Sequence, residues 1–153
     1  MPSNKKDEII EKWYYDANSL DDGKGVYREI LNKHPKKTII SHLAIGEAYG
    51  NCLGDGKDKS EAFIRLMDSL MKIKDRKIIE IVGNDGINVQ LDKVREKMER
   101  LSITDAIHLA TALKHGCCMF KTSDRDFKGL NDPLVKEVCK DCGVGLISIK
   151  DMA

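Results

Sequence analysis

Short apolar segments alternate with longer segments of helical periodicity along this chain, and that alternation constrains the fold more than any other feature. Strands that follow one another in sequence with helices between them need crossover connections, and such connections build parallel sheets. The strand-like segments are KWYYDAN, KTIIS, KIIEIVG, CCMFKTS and GLISI. The predicted fold class is therefore α/β, a three-layer α/β/α sandwich around a mainly parallel five-stranded sheet.

Helical segments lie between these strands. The clearest contains Ile87, Leu91, Val94, Met98 and Leu101, which step by four and three residues. The predicted helices are GKGVYREILNKH, closed by Pro35; SHLAIGEAYGNCL, ended by Gly54; the segment 63–70; the segment 87–101; and LSITDAIHLATALKHG. The chain has no internal repeat or linker, so we expect a single domain over residues 1–153 with a charged N-terminal extension at 1–11.

The composition is typical of a globular protein in water, with 41% hydrophobic and 33% charged residues. No apolar run approaches the roughly 18 residues that span a bilayer, so no membrane segment is expected. The N-terminal residues MPSNKKDEIIEKW lack the apolar core of a secretion signal, and we therefore expect a cytoplasmic protein. Lys and Arg number 26 against 25 Asp and Glu, which excludes a polycation that coats nucleic acid by charge alone.

Three carboxylates stand alone inside segments that the core needs. The only formal charge in 13–20 is Asp16, in 38–54 it is Glu47, and in 101–113 it is Asp105. A carboxylate removed from water is costly unless it is protonated, paired or bound to a cation. Because the carboxyl ends of parallel strands meet at one edge of a sheet, the three acids are expected to converge there.

A fourth acid follows the strand CCMFKTS. Asp124 comes just past the end of this strand, as Asp16 does after the first, so the two are expected at the same edge of the sheet. Asp126 is the competing choice, and the pattern does not separate the two. Strand-end turns also commonly carry Asp for hydrogen bonds to the backbone.

Each acid also has an ordinary structural explanation. Ser102 and Asp105 fit an [ST]xx[DE] helix start, Asp16 could open a turn, and Glu47 could pair with a lysine. Together, however, the acids form an all-oxygen set, which favours Mg²⁺ or Mn²⁺ over zinc. Such cations grip phosphates, so phosphodiester hydrolysis is the chemistry that this set predicts.

Other sites are less well supported by the sequence. Cys139 and Cys142 form a CxxC that could supply half a zinc site, but only the adjacent pair Cys117 and Cys118 could complete it. Packing of these cysteines as small, buried residues is the simpler interpretation. A phosphoacceptor receiver domain is also α/β, but it needs an acid pair after the first strand, where this chain has a single acid.

Four stretches resemble the acidic motifs of the PIN domain in order and spacing: YYDANSL, LAIGEAYG, ITDAIHLATALKHG and FKTSDRDF. The PIN family includes the VapC-type toxin ribonucleases. The resemblance extends from about residue 12 to residue 149, and its most specific part is DAIHLATALKHGC followed by TSDRDF. It implies a PIN-like fold with a parallel five-stranded sheet and a divalent-metal site.

The resemblance assigns roles to individual residues. Asp16, Glu47 and Asp105 match the three principal acids of the family, and Asp124 matches the more variable fourth. Thr122 and Ser123 match the small polar residues beside the fourth acid and are expected to orient it, whereas Asn18 and Ser19 follow the first acid and are expected to support the metal ligands. His108 lies three residues after Asp105 and could approach the site, but the expectation is a histidine packed and hydrogen-bonded in the core.

The function implied by the resemblance is hydrolysis of RNA by a ribonuclease that depends on Mg²⁺ or Mn²⁺. It also implies a homodimer and, for toxin members, a protein antitoxin that blocks the site. The alternative is a PIN-like module that binds RNA or acts as a scaffold in RNA processing without catalysis. The two hypotheses differ in whether loss of Asp105 changes RNA hydrolysis.

Overall fold

The structure is a computed structural model that describes residues 11–17, 36–71, 79–122, 132–143 and 148–150. The predicted helix GKGVYREILNKH lies outside these residues.

The described strands form one sheet in which every pair of neighbours is parallel. The strands are β1 (Lys12–Tyr15), β2 (Lys37–Ser41), β3 (Ile79–Val82), β4 (Met119–Lys121) and β5 (Ser148–Lys150). Their order across the sheet is β3-β2-β1-β4-β5. This arrangement confirms the predicted five-stranded parallel sheet and puts β1 at its centre.

Helices cover both faces of the sheet. They are α1 (His42–Asp55), α2 (Lys57–Met71), α3 (Asn88–Lys97), α4 (Ile103–Lys114) and α5 (Asp132–Asp141). Successive residues of a strand point to opposite faces. Accordingly, Tyr15 and Ile40 pack with residues of α1 and α2, whereas Tyr14 and Ile39 pack with residues of α3, α4 and α5. The three-layer sandwich is confirmed. None of the described helices combines the length and the apolar character needed to cross a membrane.

Two helix predictions were wrong in detail. Helix α1 continues through Gly54 to Asp55, and the chain leaves it at Gly56, whose φ of 127° suits a glycine. The predicted helix over 87–101 ends at Lys97. Leu101 continues the apolar spacing from a turn outside the helix, where it is buried against the same core.

Helix α5 was not predicted. Its apolar residues Leu134, Val135, Val138 and Cys139 have helical spacing, and Pro133 suits a first turn. These side chains pack against the core that α3 and α4 cover. The segment is short and strongly charged, which obscured this spacing in the sequence.

Two serines begin the helices that carry the candidate acids. The Ser41 hydroxyl accepts a hydrogen bond from the Ala44 N–H at 3.2 Å and starts α1 directly after β2. The Ser102 hydroxyl accepts from the Asp105 N–H at 3.1 Å and starts α4. Each serine satisfies a helix N–H that would otherwise lack a partner. The cap suggested by the spacing of Ser102 and Asp105 is therefore present.

All five cysteines lie in the described residues, and none forms a disulfide. Cys117 and Cys139 are buried in the core beneath α3, α4 and α5. Burial raises the pKa of the Cys117 thiol to about 12. Such thiols are inert and pack as small apolar side chains, which is the simpler of the two interpretations offered by the sequence.

We predict that Phe120→Ala lowers the free energy of unfolding by about 3–5 kcal/mol, measured by urea denaturation. Phe120 is fully buried in β4, and its ring stacks on that of Tyr14 with centroids 5.2 Å apart. The control is Val89→Ala on α3, where the side chain is exposed and the change should stay within about 0.5 kcal/mol. Equal effects of the two substitutions would contradict this assignment of the core.

Candidate active site

The candidate site lies at the carboxyl end of the sheet. Asp16 follows β1, Ser41 ends β2 and Thr122 follows β4, so the parallel register brings the three residues to one edge. The Asp16 N–H donates to the Lys121 carbonyl at 3.0 Å, which continues the ladder between β1 and β4 by one residue. The sheet itself thus fixes the backbone of the first candidate acid.

Asp16 is only 3% exposed. Its Oδ1 atom accepts a hydrogen bond from the Ala17 N–H at 2.6 Å, and its Oδ2 atom accepts from the Thr122 hydroxyl at 2.7 Å. Burial nevertheless raises the pKa of Asp16, against the lowering influence of His108 and of these hydrogen bonds. The carboxylate is therefore oriented but incompletely compensated for the loss of water.

Glu47 and Asp16 both approach the imidazole ring of His108. Glu47 lies on α1, and its Oε1 atom is hydrogen-bonded to Nε2 of His108 on α4. The same Nε2 atom is 3.5 Å from Oδ1 of Asp16. The Glu47 side chain is 37% exposed and the His108 side chain 1% exposed. The structure thus brings two of the candidate acids to one point, with Glu47 on the solvent side.

Asp105 lies in the first turn of α4 and is 9% exposed. His108 follows it by three residues, so the two share one side of the helix. Among the described residues, no group of three His, Cys, Asp or Glu side chains comes together closely enough to hold a metal ion. The structure therefore places Asp105 on the helix that reaches the site but does not assemble a three-acid cluster from the described residues.

Several predicted site residues lie outside the described part of the chain. These are Asn18, Ser19, Ser123 and Asp124, together with Asp126, the alternative to Asp124. Their roles stay predictions. Thr122 is described, and it donates to Asp16, whereas the sequence had suggested that it orients the fourth acid.

The sequence pattern did not indicate that His108 contacts the candidate acids. The expectation of a buried, hydrogen-bonded histidine is confirmed, but its hydrogen-bond partners are the candidate acid Glu47 on one side and Tyr14 on the other. Nδ1 of His108 is 2.6 Å from the Tyr14 hydroxyl, which is also 2.7 Å from the Ser41 hydroxyl. Burial raises the pKa of Tyr14, so the phenol keeps its proton. The one signal in the sequence was the spacing of His108 from Asp105.

Asn84 is hydrogen-bonded to both acid-bearing helices, a role that no pattern in the sequence indicated. Its Oδ1 atom accepts from the Leu43 N–H of α1 at 2.9 Å, and its Nδ2 atom donates to the Thr111 hydroxyl of α4 at 3.0 Å. Asn84 follows β3, so it belongs to the same edge of the sheet. One amide side chain thereby sets the spacing between α1 and α4.

The donor chemistry of this site fits a hard divalent cation. Asp16 and Glu47 supply oxygen ligands, which Mg²⁺ and Mn²⁺ prefer. Oδ1 of Asp16 and Oε1 of Glu47 both lie within 3.5 Å of Nε2 of His108, so the two acids are near enough to supply ligands to one cation. Because burial disfavours the charged form of Asp16, a cation bound there would stabilise the folded protein.

The PIN domain sequence model matches residues 13–132, most of the chain. This chain belongs to the PIN domain family. The match begins within β1 and ends at the start of α5, so it includes Asp16, Glu47, Asp105 and Asp124. Comparison with curated protein sequences gives no significant match.

Solved structures similar to this PIN domain include several toxin–antitoxin proteins. VapBC2 from Rickettsia felis, bound to a DNA fragment from its promoter, aligns with a TM-score of 0.59 at 13% identity, covering 92% of this chain and 98% of the other. PAE2754 from Pyrobaculum aerophilum aligns with a TM-score of 0.56 at 19% identity, covering 92% of this chain and 89% of the other. VapC20 from Mycobacterium tuberculosis, a toxin that cleaves the sarcin-ricin loop, aligns with a TM-score of 0.54 at 13% identity. The alignment covers 76% of this chain and 92% of the other. At these identities the likeness establishes the fold.

We predict that Asp16→Asn raises the melting temperature of the metal-free protein by about 2–4 °C, the shift expected from about 1 kcal/mol in a domain of this size. The substitution removes a buried charge beside Glu47 and lets the amide keep both hydrogen bonds, since the Thr122 hydroxyl can also accept. Thermal unfolding followed by circular dichroism in the presence of chelator measures the effect. The control is Glu137→Gln on α5, an exposed carboxylate whose loss should leave the melting temperature unchanged.

The sign of the pH dependence follows from the raised pKa of Asp16. The native protein holds this proton to higher pH than the unfolded chain, so the stability associated with it is lost as the pH rises. The gain from Asp16→Asn should therefore be larger at about pH 8 than at about pH 5. If Asp16→Asn melts at a lower temperature than the unmodified protein at both pH values, the conclusion that burial destabilises the charged form of Asp16 is wrong.

Proposed function

We propose that this PIN domain is an endoribonuclease that hydrolyses RNA phosphodiester bonds with Mg²⁺ or Mn²⁺ held by Asp16, Glu47, Asp105 and Asp124. The observation that carries the proposal is the convergence of Asp16 and Glu47 on one nitrogen at the carboxyl end of the sheet. Membership of the PIN family supports it. The description of VapC20 as a toxin that cleaves the sarcin-ricin loop is consistent with RNA as the substrate class.

A divalent cation at this site would polarise a phosphoryl oxygen and activate a water molecule for attack. The residues of this protein hold the proposed metal ligands in position. Ala17 and Thr122 hold the Asp16 carboxylate in one orientation, and Asn84 fixes the distance between α1 and α4. The partial exposure of Glu47 leaves the site open on that side, where a phosphate of the substrate can approach. Asn18, Ser19 and Ser123 are proposed to support the same carboxylates.

We predict that the protein cleaves RNA in the presence of Mg²⁺ or Mn²⁺ and that Asp105→Asn lowers the rate at least about 100-fold. A structured and an unstructured RNA, incubated with and without chelator, provide the measurement. In parallel, Mn²⁺ should raise the melting temperature of the unmodified protein, since a ligand that binds only the folded state stabilises it.

The matched control is Asp92→Asn, which makes the same chemical change on an exposed residue of α3 and should keep full activity. If Asp105→Asn cleaves RNA as fast as the unmodified protein, the nuclease assignment fails. RNA binding without cleavage under any metal condition would instead favour the non-catalytic module.

We further infer a cytoplasmic toxin of a toxin–antitoxin pair that forms a homodimer. The support for the toxin–antitoxin role comes from the aligned structures, among them VapBC2 and a toxin–antitoxin complex from Klebsiella pneumoniae. The antitoxin would then be a protein that covers the open side of the site near Glu47.

Expression of the unmodified protein in a bacterial host is predicted to arrest growth, whereas Asp105→Asn at equal abundance is not. Growth curves with immunoblotting measure both. Light scattering coupled to size exclusion should give twice the mass of one chain. Normal growth with active, soluble nuclease would assign the protein to RNA processing or turnover rather than to a toxin role.

A further inference from the structure

A chain of buried hydroxyl groups leads from the first turn of α1 to the imidazole between the acids. The Ala44 N–H donates to the Ser41 hydroxyl oxygen at 3.2 Å. The Ser41 oxygen is 2.7 Å from the Tyr14 hydroxyl, and the Tyr14 hydroxyl is 2.6 Å from Nδ1 of His108. On the other side of the ring, Nε2 of His108 is bonded to Glu47. This series of hydrogen bonds joins β1, β2, α1 and α4.

Burial makes the direction of these hydrogen bonds decidable. Ser41 and Tyr14 are fully buried and His108 is 1% exposed, so each of their polar hydrogens needs an acceptor within the protein. Each hydroxyl has one hydrogen to donate. Among the described residues, the only acceptor within reach of the Ser41 hydrogen is the Tyr14 oxygen.

The hydrogens can therefore be assigned in sequence. Ser41 donates to Tyr14, and Tyr14 consequently donates to Nδ1 of His108. Because Nδ1 then accepts, the ring hydrogen resides on Nε2 and is donated to Oε1 of Glu47, while Oδ1 of Asp16 lies 3.5 Å from the same nitrogen. The reverse assignment would leave the buried Ser41 hydrogen without an acceptor, which costs about 1–3 kcal/mol.

We propose that His108 is a positioning residue: the hydroxyls of Ser41 and Tyr14 fix it as the Nε2–H tautomer, and this N–H holds Glu47 and Asp16 on one point for the cation. The inference rests on the proposed function and deepens it. Histidine orients the acids without taking a ligand position itself, because each carboxylate oxygen has a second lone pair. Groups that orient metal ligands typically change metal affinity about 10–100-fold when removed.

Mn²⁺ binding measured by calorimetry on the full-length protein tests the proposal, with a readout independent of catalysis. His108→Leu removes the donor and should weaken Mn²⁺ binding about 10–100-fold. His108→Gln places an amide N–H near the position of Nε2 and should recover most of the affinity. The control is His115→Gln, at the C-terminal end of the same helix, which should bind Mn²⁺ as the unmodified protein does.

Tyr14→Phe tests the tautomer without removing the imidazole. Nitrogen-15 NMR of labelled histidine in the unmodified protein should show Nδ1 unprotonated and Nε2 protonated. Tyr14→Phe should remove this preference and weaken Mn²⁺ binding less than His108→Leu does. A protonated Nδ1 in the unmodified protein would overturn the assignment.

The pattern of results separates this inference from the proposed function. If the unmodified protein binds no Mn²⁺ and cleaves no RNA, the nuclease proposal fails and the positioning role fails with it. If the unmodified protein binds Mn²⁺ and His108→Leu, folded by circular dichroism, binds it equally well, only the positioning role fails. If His108→Leu does not fold, Tyr14→Phe decides: a Mn²⁺ affinity equal to that of the unmodified protein overturns the role.

Discussion

Two like charges are brought to one edge of the sheet, and a single imidazole is placed where it offsets their repulsion. Asp16 and Glu47 come from β1 and α1, and both approach Nε2 of His108 on α4. Asp16 has two further donors, but burial still raises its pKa. The geometry of the candidate site therefore depends on the depth and rotation of α4, which the core beneath it fixes through Leu109 and Leu113.

Much of this fold is predictable because its elements are local. Apolar runs and helical spacing identify β1 to β5 and most of the helices, and the need for crossovers makes the sheet parallel. Helix boundaries are less predictable, since turns can continue the apolar spacing, as Leu101 does after α3. Helix α5 shows the opposite difficulty: its few apolar residues lie among charges and give a weak signal in a short segment.

The candidate site was predictable only in part. A lone acid in an apolar segment is visible in the sequence, and parallel topology places such acids at one edge. The contacts of His108 are not visible, since Tyr14 and Glu47 lie 94 and 61 residues from it in the chain. Asn84 was equally hidden, because its two hydrogen bonds depend on where α1 and α4 start relative to the end of β3.

The bond between Glu47 and His108 has a consequence for the protein as a whole. Glu47 belongs to the helical layer on one face of the sheet, and His108 belongs to the layer on the other face. Their contact passes over the end of the sheet and couples the two outer layers. Local opening of either layer thus dismantles the site, so the lifetime of the arranged acids is limited by whichever layer opens more easily.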